Sequence, residues 1–433
     1  MFTDAGVSVL GPELRRSFGL TLTGLGWVAS AYALTVALLL MPATVIAARI
    51  GPRRALQTGL GLFAIGTAVI AFAPSLAAVV GGRVIEGVGT AIVSPTMLTA
   101  LRTQCGAPCG KAIAWWSGVS SSMVAIGSLV AAATIELTTW RVYFAAALVL
   151  LAVSTRLVAR AMPEGRQAWT PLPTSAVLGV SAAFAAVDLA LVLHQPGLLL
   201  VPLAIGAWWI FRAWSRQHRR TRVGVRRGYG EFAAPTLAGL IVSGLLYSIV
   251  FLVPLYDRLV LGLPAVDAAL SLSVVAVPPI VLGPLITRWS TRSGPCTPMA
   301  IGALTLMTAM AIATRWTSHV HLLDTLPALA LAGIGLGALM APSTAAAMAA
   351  LPEDRVVQGS AILASARTLG VGLGAGATTV LATDRKTCDL VSHFCLDALS
   401  NTLTRPLLLD AGIAALLALF LVATLRRTVP RLS

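Results

Sequence analysis

Arg83 and Glu86 are the residues of this sequence whose types and spacing most directly offer chemistry. They stand three positions apart in a stretch, Leu76 to Ala100, that carries no other charge. At helical spacing they share a face and reach one another. A carboxylate beside a guanidinium in apolar surroundings can take up and release a proton as water access changes, because the local field alters its proton affinity. The alternative is a permanent ion pair tying this helix to a neighbour. Either way both groups must face a protein interior, since ionisable side chains are costly in lipid unless paired.

Other candidates are sparser. Arg367 is the one charge between Val356 and Ala382. Asp188 and Asp410 read as residues near helix ends, where water or snorkelling partners are close, and Glu136 precedes a turn and reads as solvated. Cys105 and Cys109 have no accompanying ligands, so neither a metal site nor a cofactor is expected. Cys388 and Cys395 share one loop, where a disulfide and two unpaired thiols are both open. Nothing resembles a phosphate-cradling Gly-Lys-Ser/Thr loop.

The elements that must position these groups follow from composition. Hydrophobic residues make up 57% and charged residues 11%, against roughly a quarter charged in a soluble domain. A bilayer is the solvent that accommodates so apolar a chain, and its hydrocarbon forces each crossing segment to be helical or part of a closed barrel. The apolar runs are too long for barrel strands, so the fold class is all-α and polytopic. Spans are predicted at 24–47, 55–73, 76–100, 112–135, 141–160, 174–193 and 197–214, then at 232–255, 266–288, 297–314, 325–350, 356–382 and 405–425. Residues 1–11 form an apolar stub before the polar Glu13-Leu-Arg-Arg segment, about 16 Å long as a helix and half of a bilayer core. This truncated helix 1 leads to the expectation that the polypeptide begins upstream of Met1, or that helix 1 is functionally absent.

Counting basic residues on alternate sides tests this topology. Of the 31 lysines and arginines, twenty-one fall on one side, eight on the other, and Arg83 and Arg367 lie inside helices. The basic side is predicted to be cytoplasmic, and the run from Arg212 to Arg227 belongs to it. That run fixes topology or meets anionic lipid. It lacks the interleaved aromatics and module of a nucleic-acid site, so the +15 charge implies no nucleic-acid partner.

An internal repeat divides the chain. Thr44, Arg49, Gly51 and Pro52 recur at a constant offset as Thr287, Arg292, Gly294 and Pro295. Gly87, Gly89 and Pro95 correspond more loosely to Gly335, Gly337 and Pro342, where glycine allows close helix approach.

At these residues the chain resembles the fourteen-helix drug:proton antiporters of the major facilitator superfamily. Thr44 through Arg54 resembles the family's loop motif A, and Arg83-Val-Ile-Glu-Gly-Val-Gly89 its motif B. Trp140-Arg141-Val-Tyr-Phe144 matches the turn into helix 6, Phe251 through Gly262 the exit of helix 9, and Gln358 through Gly370 helix 13. Two departures stand out. Thr44 and Ala48 replace the Gly and Asp of motif A, which weakens the charge-linked gate. Gly127-Ser128 and Ala131-Ala132 lack the proline and later glycines of motif C, which the family associates with antiport.

The resemblance implies a major facilitator fold with two six-helix bundles, 1–160 and 232–433, joined across 161–231 by two extra linking helices and a basic loop. It implies a charge network of Asp4, Arg83, Glu86 and Arg367, with Asp4 near the family's acidic position in helix 1. It also implies gating loops containing Arg49, Gly51 and Arg53 and, in the second copy, Arg292 and Gly294. Trp27, Tyr32, Trp115, Trp116, Met123 and Tyr247 would suit a cavity for hydrophobic or amphipathic molecules, or equally packing and interfacial anchoring. The expected function is proton-coupled efflux of a small-molecule substrate by a monomer in a bacterial inner membrane. An uncoupled facilitator or importer, and a transport-dead paralogue acting as sensor or assembly partner, remain alternatives. An enzyme is not expected.

Overall fold

The protein is described by a computed structural model covering residues 2–19, 22–105, 110–162, 225–317, 319–351, 356–382 and 406–421. Twelve helices account for them: α1 Phe2–Phe18, α2 Leu22–Ile50, α3 Pro52–Ala71, α4 Leu76–Cys105, α5 Gly110–Leu137, α6 Trp140–Ala161, α7 Val225–Leu259, α8 Ala265–Ser293, α9 Cys296–Ala313, α10 Leu322–Ala349, α11 Val356–Ala382 and α12 Pro406–Leu421. No strand occurs among the described residues. Nine of the helices, α2 through α10, are long and apolar enough to cross a membrane. The predicted linking helices, the Arg212–Arg227 run except its end, and Cys388 and Cys395 lie outside the described residues.

Apolar side chains cover both surfaces of these helices. On α6 the buried residues are Trp140, Tyr143, Phe144 and Ala147, while Val149, Val153 and Leu157 point outward. A helix apolar all round is what lipid on one side and protein on the other require. Prolines stand inside α2, α4, α7, α8 and α10, a placement that neighbouring helices in a membrane tolerate by satisfying the freed carbonyls.

The two halves repeat in backbone detail. Gly51, between α2 and α3, has φ 88 and ψ 159, and Gly294, between α8 and α9, has φ 80 and ψ 160. Positive φ is where glycine is needed. About two turns earlier, Thr44 donates to the Leu40 carbonyl and Thr287 to the Gly283 carbonyl, both at 2.8 Å. A Cβ on Gly89 would lie 2.5 Å from the Gly59 carbonyl oxygen, and one on Gly335 would lie 2.7 Å from that of Gly302. The α3–α4 and α9–α10 crossings therefore both rest on glycine against glycine.

Partner order repeats as well. In the first half α1 packs on α5, α2 on α4 and α3 on α4; in the second, α7 packs on α11, α8 on α10 and α9 on α10. The halves meet where α5 lies against α8 and α2 against α11, with α4 also touching α11 and α1 touching α7.

At the amino-terminal end the structure differs from the expected stub of 1–11. Helix α1 continues through Glu13, Arg15 and Arg16 to Phe18, 17 residues in all. The polar segment does not stop it, because Glu13 is paired with Arg258 of α7 at 2.6 Å and the arginines sit in the last turn, where a helix favours cations.

Candidate functional site

Arg83 and Glu86 lie on α4, seven and ten residues beyond its start at Leu76, and both are almost wholly buried, at 1% and 0% exposure. The Arg83 Nη1 donates to Glu86 Oε2 at 2.6 Å, forming a buried ion pair. Around it, the Arg83 Nε donates to the Val28 carbonyl of α2 at 3.3 Å, and the guanidinium lies 4.3 Å above the Tyr32 ring. Thr67 of α3 donates to the other carboxylate oxygen at 2.7 Å. Three helices thus converge on one ion pair. Close approach is possible because Gly66 stands against Glu86 and Gly87 against Thr35, positions where a Cβ would fall within 2.7–2.8 Å of the facing atoms.

Arg367 is elsewhere. Its Nη2 donates to the Met340 carbonyl at 3.1 Å and to Thr344, both on α10, and its Nε has no hydrogen-bond partner among the described residues. Arg367 thus bonds to α10, whereas Arg83 bonds to Glu86 and to α2. Asp4 belongs to α1, but its side chain lies outside the described residues.

Two further carboxylates are buried. Asp410 of α12 is 6% exposed and accepts a hydrogen bond from Ser248 of α7 at 2.5 Å. Read from sequence as a residue near a helix end with water or snorkelling partners close, it is instead an interior group, because it lies on the buried face of α12 that also carries Leu407, Ala414 and Leu417 and it is bonded by Ser248 of α7. Asp257 of α7 is 1% exposed, and its Oδ2 has no partner among the described residues. Sequence reading did not single it out. Its only signal was a carboxylate ending a long apolar run, beside Arg258.

Contacts between halves occur at both ends. Where α2 and α8 finish, called the basic end for Arg49, Arg54, Arg288 and Arg292, Thr99 of α4 meets Ser360 of α11 at 2.6 Å. Beside them Leu98, Ala347, Met348, Val356 and Leu363 form an apolar cluster. At the opposite end Glu13 and Arg258 pair, and Ser128 of α5 reaches the Ala269 carbonyl of α8 at 3.4 Å. A cavity of about 710 Å³ opens beside that pair, lined by Pro12, Arg15, Arg16, Arg258 and Leu263 among others.

The residues expected to form gating loops sit in a pair of equivalent turns. Arg49 and Arg292 are exposed in the last turns of α2 and α8, Arg53 is half-buried in the first turn of α3, and Gly51 and Gly294 supply the positive φ. The aromatic residues considered for a cavity do not gather into one wall. Tyr32 faces Arg83, Tyr247 stacks on Phe251, and Trp116 packs against the apolar cluster at the basic end. Trp27 and Met123 are half-buried on α2 and α5, while Trp115 is exposed.

Residues 1–375 match the Major Facilitator Superfamily. This chain belongs to that superfamily. It is a multi-pass membrane protein and a secondary transporter, not an enzyme. Among curated relatives, the methylenomycin A resistance protein of Streptomyces coelicolor is 26% identical, covering 87% of this chain and 81% of that protein. The multidrug efflux pump LfrA of Mycolicibacterium smegmatis is 26% identical, with 84% and 74% covered. The puromycin resistance protein pur8 of Streptomyces alboniger is 27% identical, with 89% and 80% covered. In fold the chain is similar to the human organic anion transporter MFSD10, with a TM-score of 0.70, 14% identity and 97% of both chains covered.

Proposed function

We propose that this protein exports hydrophobic or amphipathic small molecules across a bacterial plasma membrane in exchange for protons, by alternating exposure of a site between its halves. The observation that carries the reading is the buried Arg83–Glu86 pair, bound by Val28, Tyr32 and Thr67 on two neighbouring helices. An interior carboxylate whose partner can be drawn away is a group with reason to change its proton occupancy during a cycle. The resistance and efflux roles named for the relatives support the direction and the class of cargo, and their bacterial hosts support the membrane. By the positive-inside bias the basic end faces the cytoplasm. Glu86 is the proton carrier, Arg83 its counter-charge and Asp4 a further member of the network, and the protein works as a monomer. The turns at Arg49, Gly51 and Arg53 and at Arg292 and Gly294 gate the basic end, and the bundles 1–160 and 232–433 rock about the 161–231 link.

Counterflow in proteoliposomes tests this, using labelled 1-naphthylacetate, 1-naphthylacetamide and tetraphenylphosphonium with and without an imposed pH gradient. Movement of at least one probe that a pH gradient accelerates, and that Glu86→Gln abolishes, is the expected result. Equal movement with and without the gradient would identify an uncoupled facilitator, the reading favoured by Ala131 and Ala132 in the motif C position. No movement of any probe would overturn the exporter reading.

A further inference from the structure

We propose that Arg367 is the anchor for the anionic group of the cargo, so that the preferred substrates are amphipathic organic anions carrying a carboxylate, sulfonate or phosphate on an apolar body. The inference rests on the exporter reading and narrows the charge of what is exported.

The two interior arginines are satisfied very differently. Arg83 has a carboxylate, a carbonyl and an aromatic face. Arg367 has a carbonyl and a hydroxyl, both on Nη2, and no carboxylate within ion-pair distance among the described residues. A guanidinium offers five N–H donors and stays charged at neutral pH. The one on Nε is buried and meets no acceptor among the described residues, and Nε faces Gly239 of α7, where a Cβ would lie 3.4 Å from it. A charge inside a membrane bundle with neutral partners alone is costly. It is also the arrangement that an anionic ligand would complete.

Helical register places Arg367 where such a ligand would pass. Ser360 and Ala364 of α11 both touch the first half: Ser360 bonds Thr99, and Ala364 packs with Val36, Leu40, Ala43 and Ala91, against which Tyr32 also lies. Positions 360, 364 and 367 form one stripe along a helix. Arg367 is therefore one turn further from the basic end than the Ala364 contact, and Tyr32 is one turn further than Val36 along α2. Arg367 thus stands one turn beyond a contact between the halves whose apolar cluster reaches Tyr32, and Tyr32 lies beneath Arg83. An anion held at Arg367 would have its apolar body against the Val36, Leu39 and Ile92 surface, one side chain from the ion pair that changes proton occupancy.

The probe set above separates this inference from the reading on which it rests. 1-Naphthylacetate and 1-naphthylacetamide differ by replacement of a carboxylate with a neutral amide, and tetraphenylphosphonium is a cation of similar apolar character. Wild-type protein is expected to move the carboxylate, and Arg367→Gln to lower that movement roughly tenfold or more, as loss of charge-assisted hydrogen bonds implies. Arg367→Lys should recover part of it. The carboxylate, and not the amide, should raise the melting temperature of the purified full-length wild-type protein, which keeps the inference testable if Arg367→Gln fails to fold. Pure stitching of α10 to α11 would instead lower the melting temperature of Arg367→Gln while leaving carboxylate movement per folded molecule unchanged, and would overturn the anchor role. Movement of the amide or the phosphonium in preference to the carboxylate would also overturn it, leaving the exporter reading intact.

Discussion

At the scale of single residues, the i,i+3 spacing of Arg83 and Glu86 made their pairing legible before any coordinates, because a helix geometry alone brings such residues together. What spacing could not reveal was the supporting set of Val28, Tyr32 and Thr67, which come from helices whose faces are defined only by packing. Asp410 shows the same limit more sharply. Its burial depends on Ser248, which is 162 positions away, and no local pattern carries that information. The ion pair itself yields a quantitative expectation. Glu86→Gln or Arg83→Gln leaves one buried group uncompensated and should destabilise the protein by roughly 3–5 kcal/mol, whereas the double replacement should cost less than the two single effects added. Denaturation of the three variants in detergent measures the coupling, and additive losses would show that the pair does not act as a unit.

At the scale of elements, the repeat was visible as four matching residues, and its physical content is a pair of matching turns and a pair of matching crossings. Gly51 and Gly294 share a backbone conformation that side chains strain, so Gly294→Ala should cost about 1–2 kcal/mol although nothing lies within 4 Å of its Cβ position. Gly89→Ala and Gly335→Ala should each cost about 1–3 kcal/mol by forcing backbones apart. Gly81→Ala, on the same helix as Gly89 but with open space around it, should be neutral or slightly stabilising. Thermal melting of the four variants checks the order, and a Gly81→Ala variant as damaged as Gly89→Ala would contradict the packing account. The extent of α1 was the element least legible in sequence. Glu13, Arg15 and Arg16 read as a polar stop, yet Glu13 is held by an arginine 245 positions away.

At the scale of the whole molecule, hydropathy foretold an all-helical membrane protein, because lipid constrains every crossing segment in the same way. The contacts between the halves were not foretold, since they depend on which faces remain after each half has packed. The Glu13–Arg258 pair is one of these contacts, and under the proposed alternation between halves opening toward that end would separate it. In a variant lacking the five native cysteines, Glu13→Cys combined with Arg258→Cys should transport until a short bismaleimide links the two positions, and should then stop. Undiminished transport after complete linkage would exclude separation at this point. Sidedness is checked by single-cysteine labelling: positions 161–168 and 220 should react only from the cytoplasm and 385–397 only from outside, and external labelling of position 220 would invert the topology.

The level at which Arg367 lies has an electrical consequence. Eleven residues of helix separate it from Val356 at the start of α11, about 16 Å along the axis and so about half of the hydrocarbon thickness. A monoanion travelling from the cytoplasm to that point crosses about half of the membrane voltage, worth roughly 1.1 kcal/mol at 100 mV. With the interior negative, the voltage pushes the anion toward Arg367, and its apparent affinity from the cytoplasmic side should rise about sevenfold on imposing such a potential. Exchange of one anion outward for one proton inward would carry two positive charges into the cell per cycle. A potassium–valinomycin potential across proteoliposomes should therefore drive export of 1-naphthylacetate even when the pH is equal on both sides.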